Sequence, residues 1–143
     1  MSSPYPAGGP PSGAPGGKTS LGLDSNVGAM LCYVGNIICC LGVILSIVFL
    51  VTEKENRFVK FHALQSLFLG VAAIVLLIIV QILGAILDIV HLGFLTIGLW
   101  FIVVFIFLIL WLLAGVKAYG GQWYKLPFIG DLTWNMINKE SNT

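Results

Sequence analysis

The chain has 143 residues, of which 58% are hydrophobic and only 9% charged, with a mean hydropathy of +1.00 and a net charge of +1. A soluble domain carries about 25% charged residues, so the composition excludes an ordinary water-soluble fold. Near-neutral charge with no basic stripe argues against a nucleic-acid partner. Three cysteines, Cys32, Cys39 and Cys40, fall inside one apolar run. Neighbours on one helix do not reach bridge geometry, so they read as small packing residues.

Residues 1–22 form a Pro/Gly/Ser tail that buries too little apolar surface to offset chain entropy, and it is expected to be disordered. Its prolines never fall three apart, so the PxxP ligand spacing is missing. It also lacks the basic start and short apolar core of a secretory leader. Residues 23–143 read as a single membrane domain.

Asp24, Ser25 and Asn26 offer N-caps for a first span over about 27–51, a run free of charge and longer than the roughly 20 residues that cross a hydrocarbon core. Gly28, Cys32, Gly35, Cys39, Gly42 and Ser46 recur along it at spacings of four and three, a small-residue edge suited to close helix approach. Asn36 flanks that edge. A polar turn, Thr52–Asn56, makes the first and second spans antiparallel neighbours.

The second span, about 61–87, organises the domain. At 100° per residue, His62, Ser66, Gly70, Ala73, Leu77, Gln81, Gly84 and Asp88 fall on a stripe about 100° wide. All but Leu77 are small or polar, whereas the remaining surface is Leu, Ile, Val and Phe. One face therefore serves other helices and the rest serves lipid. Asn36 and Gln81, each on the order of 10–14 Å from the outer ends of their helices, are expected to share an interhelical hydrogen bond.

A short turn leads to a third span, about 94–116. It is Leu/Ile/Val/Phe almost all round and has no small stripe, so it should be the most lipid-exposed of the three. The C-terminal segment, about 123–138, is too short to cross again. Trp123, Tyr124, Phe128 and Trp134 suit a headgroup layer, and Asp131 is placed to cap an interfacial helix bearing Leu132, Met136 and Ile137. The expected fold is an all-α integral membrane protein with three transmembrane helices and a short interfacial C-terminal helix. With three spans, Lys54, Arg57, Lys60, Lys117, Lys125 and Lys139 gather on one side against Lys18 on the other. That predicts a cell (cytoplasmic or inner) membrane protein with its N-terminus outside and its C-terminus in the cytoplasm.

Two stretches are more specific than hydropathy. Asn56-Arg57-Phe58-Val59-Lys60-Phe61-His62-Ala63-Leu64-Gln65-Ser66 resembles the "basic-Phe-His-Ala-x-Gln" segment of a family of small prokaryotic membrane proteins of unknown function. Leu126-Pro127-Phe128-Ile129-Gly130-Asp131 is similar to that family's C-terminal ending. The family is similar in turn to the channel-type subunit of the chloroplast inner-envelope protein-import complex and to a magnetosome-membrane protein. The chloroplast subunit is drawn with four spans, one more than this chain supports. The resemblance implies membrane location and self-association, with no settled activity.

His62 is the tempting chemical residue, since imidazole titrates near neutrality and could relay protons. Its place one turn after Arg57 and Lys60 favours helix packing or headgroup contact instead. Asp88 and His91 can pair locally, but His62 and Asp88 lie on the order of 39 Å apart along the helix and cannot share a site. Lys54, Arg57 and Lys60, with His62, could hold anionic lipid or an acidic partner segment, although setting topology is the plainer role. No nucleophile–base set, phosphate loop or metal motif occurs in the sequence, so no catalytic residue, cofactor or metal is expected. The expected function is a non-enzymatic membrane scaffold or assembly module that lies in the lipid bilayer and forms homo-oligomers or binds other membrane proteins. The alternative is an oligomeric channel or carrier lined by the His62–Asp88 stripe.

Overall fold

A computed structural model describes residues 17–38, 41–54 and 56–141. Residues 1–16 of the Pro/Gly tail, and Cys39 and Cys40, lie outside the described residues. Five helices follow in order: α1 (Ser25–Ile37), α2 (Leu41–Thr52), α3 (Arg57–Asp88), α4 (Phe94–Tyr119) and α5 (Ile129–Ser141).

The expected first span is not one helix. It divides into α1 and α2, 13 and 12 residues long, or about 20 and 18 Å, each short of the roughly 30 Å hydrocarbon thickness. The two pack on each other as a hairpin, and the small-residue edge is folded onto itself. A Cβ on Gly35 would sit 2.7 Å from the backbone nitrogen of Gly42, and one on Gly42 would overlap Asn36 N and Cys32 O. At the open end, a Cβ on Gly28 would touch the Phe49 ring at 3.3 Å. Glycine at 35 and 42 is what lets the backbones come this close. The described chain thus has two helices, α3 and α4, with the length and hydropathy to cross a membrane, where three were expected.

The hairpin also brings the segment Lys18–Ser25 to the same end of the bundle as Asn56. The segment before α1 returns to the α2–α3 turn: the Ser20 amide donates to the Glu53 carboxylate, and Asn56 Nδ2 donates to Lys18 O and to Ser25 Oγ. A chain with α1 and α2 fused into one crossing would put Lys18 and Asn56 at opposite ends. They share one end.

Helix α3 begins at Arg57, one turn ahead of the expected second span. Asn56 caps it, its side chain accepting from Val59 N at 3.2 Å, which satisfies a donor that the first turn leaves open. Asp24 occupies the N-cap of α1, but its carboxylate pairs with Lys18 at 2.6 Å instead of capping. Along α3, His62, Ser66, Gly70, Ala73 and Gly84 are buried, so most of the predicted stripe is a packing face. In α4 the buried side is limited to Val103, Phe107, Ala114, Gly115 and Ala118, which agrees with its expected exposure. The small patch Ala114-Gly115-Ala118 was not foreseen. It seats α1, with Tyr33 Cβ 3.5 Å from where a Gly115 Cβ would lie.

Because α1 and α2 are short, they cover only the halves of α3 and α4 nearest the α2–α3 turn. Helix α5 packs on the same end of α3, with Trp134 against Phe61. The other halves of α3 and α4 stand out as a pair, with Val71, Ile74, Ile78, Ile82, Ile86, Phe94, Ile97 and Phe101 exposed.

Candidate functional site

The signature segment at the start of α3 forms a buried polar cluster wrapped in aromatic rings. Helical spacing brings Phe58, Phe61, His62, Gln65 and Ser66 onto the inward side of α3, and all five are fully buried. Phe58 and Phe61 meet the His62 ring edge-on at centroid distances of 4.6 and 5.1 Å. Trp123 stacks against both phenylalanines and against Trp134. The expectation that Trp123 and Trp134 anchor in headgroups is therefore corrected: both are buried as a cover over the motif.

The hydrogen bonds fix the cluster's protons. His62 Nε2 lies 2.9 Å from the Gln122 carbonyl, which only accepts, so Nε2 carries hydrogen and donates. In the neutral ring Nδ1 then accepts, and the Tyr33 hydroxyl donates to it at 3.0 Å. Gln65 Nε2 donates to the Tyr33 oxygen at 2.8 Å and to Tyr124 O at 3.0 Å, while Gln65 Oε1 accepts from Leu126 N at 3.1 Å. One glutamine thus joins α1, α3 and the 122–126 segment. Deeper in the fold, Ser66 Oγ donates to Cys32 O at 2.7 Å and accepts from Asn36 Nδ2 at 2.8 Å.

This placement overturns the expected Asn36–Gln81 bond. Counting depth along a single straight span set Asn36 level with Gln81. The hairpin instead turns near Asn36, which meets Ser66, fifteen residues and about 22 Å short of Gln81.

The C-terminal motif supplies the fold-back that delivers α5. Leu126 is buried beside Gln65. Pro127 O accepts from Ile129 N, and Leu126 O accepts from Gly130 N at 2.8 Å. Phe128 takes φ +63° and projects outward, 92% exposed. A Cβ on Gly130 would lie 2.5–2.8 Å from Lys125 atoms, backbone among them, so only glycine fits. Asp131 is not the cap of α5 but lies in its first turn and pairs with Lys125 at 3.3 Å. Arg57 Nη2 donates to Asn138 Oδ1 at 2.6 Å and Lys60 bridges Glu140 at 2.8 Å, tying the basic residues of the first motif to the last turns of α5.

Gln81 and Asp88 stand apart from this cluster. With Gly84, Gly93, Thr96 and Trp100 they line an open groove of about 820 Å³ between the projecting halves of α3 and α4. Thr96 Oγ1 is buried there with no partner among the described residues. The carboxylate of Asp88 leaves no room for a Cβ on Gly93, and His91, with φ +59°, turns the chain into α4. The sequence signalled the groove only as the far end of the α3 stripe, because the contribution of Thr96 and Trp100 depends on the α3–α4 packing.

A helical hairpin too short to cross, docked by a polar aromatic cluster on two apolar helices of crossing length, defines a small helical integral membrane protein. Residues 24–134 match the family model described as the magnetosome magnetite crystal formation protein family, and the chain belongs to that family. A UPF0132 membrane protein of Methanocaldococcus jannaschii is 43% identical over 116 residues, covering 81% of this chain and 91% of the relative. One from Archaeoglobus fulgidus is 38% identical over 115 residues, covering 80% and 97%. A second M. jannaschii UPF0132 membrane protein is 34% identical over 113 residues, covering 79% and 70%. No solved structure matches the chain.

Proposed function

We propose that this protein is a non-enzymatic membrane scaffold that self-associates or binds other membrane proteins through the projecting halves of α3 and α4. The observation that carries this reading is the open groove. It sets Gln81, Thr96 and Asp88 among exposed Ile, Leu and Phe side chains, and polar groups at such depth favour a protein surface over hydrocarbon. The family description, magnetite crystal formation in magnetosomes, is in keeping with a module that organises a membrane compartment. A photo-crosslinker at Ile97, in the groove, is expected to give dimers or partner adducts in native membranes. The same group at the exposed Ile102 is expected to give far fewer. Monomer alone at both positions would defeat the scaffold reading.

A channel or carrier lined by the whole α3 stripe is less well supported. Its His62 and Ser66 end would have to face water between copies, and both residues are fully buried under α1 and the 122–126 segment.

The same-end arrangement supports a specific orientation in the cell membrane. All seven lysines and arginines belong to segments at the α2–α3 turn end of the bundle, and the Ile89–Gly93 turn has none. By the positive-inside rule both termini are cytoplasmic. Single cysteines introduced at Ser20 and Asn135 in a background lacking the native cysteines should react with an impermeant reagent from the same side, and one at Leu92 from the other. Labelling of Ser20→Cys together with Leu92→Cys would refute this orientation.

A further inference from the structure

We infer that the pocket between the start of α3 and the end of α5 binds the phosphate of an anionic lipid headgroup. Lys54, Arg57, Lys60, Ile137 and Glu140 line this space of about 150 Å³, which brings three cations and one carboxylate together around a concavity. Two observations point to a missing acceptor. Arg57 Nε is shielded from solvent and has no hydrogen-bond partner among the described residues. The one carboxylate lining it among the described residues, Glu140, belongs to the last turn of α5, and its side chain is 64% exposed while that of Lys60 is 12% exposed. Such a half-open ion pair is worth little in water. Glu140 therefore behaves as a weak internal occupant that a stronger anion displaces, since phosphate takes several charge-assisted hydrogen bonds at once.

The position of the pocket selects lipid as the source of that anion. On α2 the last exposed apolar residue, Val51, is 74% exposed, and Lys54 follows three residues later in the turn that ends the helix. On α3 the partly exposed positions after Lys60 are the apolar Leu64, Leu67 and Phe68, and fully exposed apolar residues follow from Val71. At the start of α5 and along it, Phe128 (just before the helix), Leu132 and Met136 are exposed, away from the face that packs on α3. The cations thus sit where hydrocarbon-compatible surface ends, at headgroup level, where each basic residue near an anionic leaflet contributes to binding. Ile137 gives the pocket an apolar wall beside which a glycerol backbone can lie.

The test is native mass spectrometry of the full-length protein released from detergent micelles containing phosphatidylglycerol or phosphatidylcholine of matched chains. Wild type is expected to retain phosphatidylglycerol preferentially. Lys54→Gln and Lys60→Gln should each lower that retention roughly fivefold, and Lys125→Gln, which alters a lysine outside the pocket, should leave it unchanged. Glu140→Gln should raise retention, a gain that misfolding cannot imitate. Equal retention of both lipids by wild type, or no gain in Glu140→Gln, would overturn the inference. Inorganic phosphate should not displace the lipid at equal concentration. Displacement would assign the pocket to a free anion and end the lipid reading.

Discussion

Gln65→Met is expected to destabilise the protein by about 3–5 kcal/mol, since each buried group left without its partner costs about 1–3 kcal/mol. The methionine keeps most of the volume but abolishes both donations, to Tyr33 Oη and Tyr124 O, and the acceptance from Leu126 N. Leu126 N is then stranded in a buried position, and the 122–126 segment loses its attachment to α3. Thermal unfolding in mild detergent reads the loss, and trypsin cleavage after Lys125 should accelerate as the segment releases. A loss under about 1 kcal/mol would show that the aromatic cover, not the glutamine, fixes this end of the fold.

Gly42→Val is the second severe change. Its side chain would overlap Asn36 N and Cys32 O, and these are backbone atoms that no rotamer change can move aside. The α1–α2 hairpin must therefore open. Overpacking costs about 1–3 kcal/mol and occasionally more, and a clash with main chain belongs at the upper end. Opening the hairpin also draws Asn36 from Ser66. Gly98→Ala is the matched control, because nothing lies within 4 Å of a Cβ there, and it should change stability by no more than about 0.5 kcal/mol. Comparable unfolding midpoints for the two variants would mean that the hairpin is not closely packed.

These two residues mark where sequence reading succeeded and where it stopped. Gln65 belongs to a motif that the sequence singled out, on a helix whose inward face followed from the His62–Ser66–Gly70–Ala73 periodicity. The partners of that face were hidden. Gln122, Tyr124 and Leu126 lie about 60 residues further on, and no local pattern announces a peptide strand laid against a helix. Trp123 and Trp134 looked like interface anchors because aromatic residues near a membrane segment usually are. Their burial follows from the fold-back that Gly130 permits. Gly42 illustrates a different limit. Ile37-Ile38-Cys39-Cys40 contains no proline or glycine to break a helix, and Gly35 and Gly42, seven apart, share one face of a straight helix just as they meet across a hairpin. One residue pattern served two architectures, and the straight helix also set Asn36 away from Ser66 and Lys18 away from Asn56.

The α1–α2 hairpin has a consequence for biogenesis. In the orientation proposed above, with the described chain entering and leaving the bundle at one end, assembly in a bilayer would carry only the Ile89–Gly93 loop and neighbouring Asp88 across. Every lysine and arginine would stay on the side where it began. The polar load moved through oil would then be one carboxylate, the His91 imidazole and a few peptide groups.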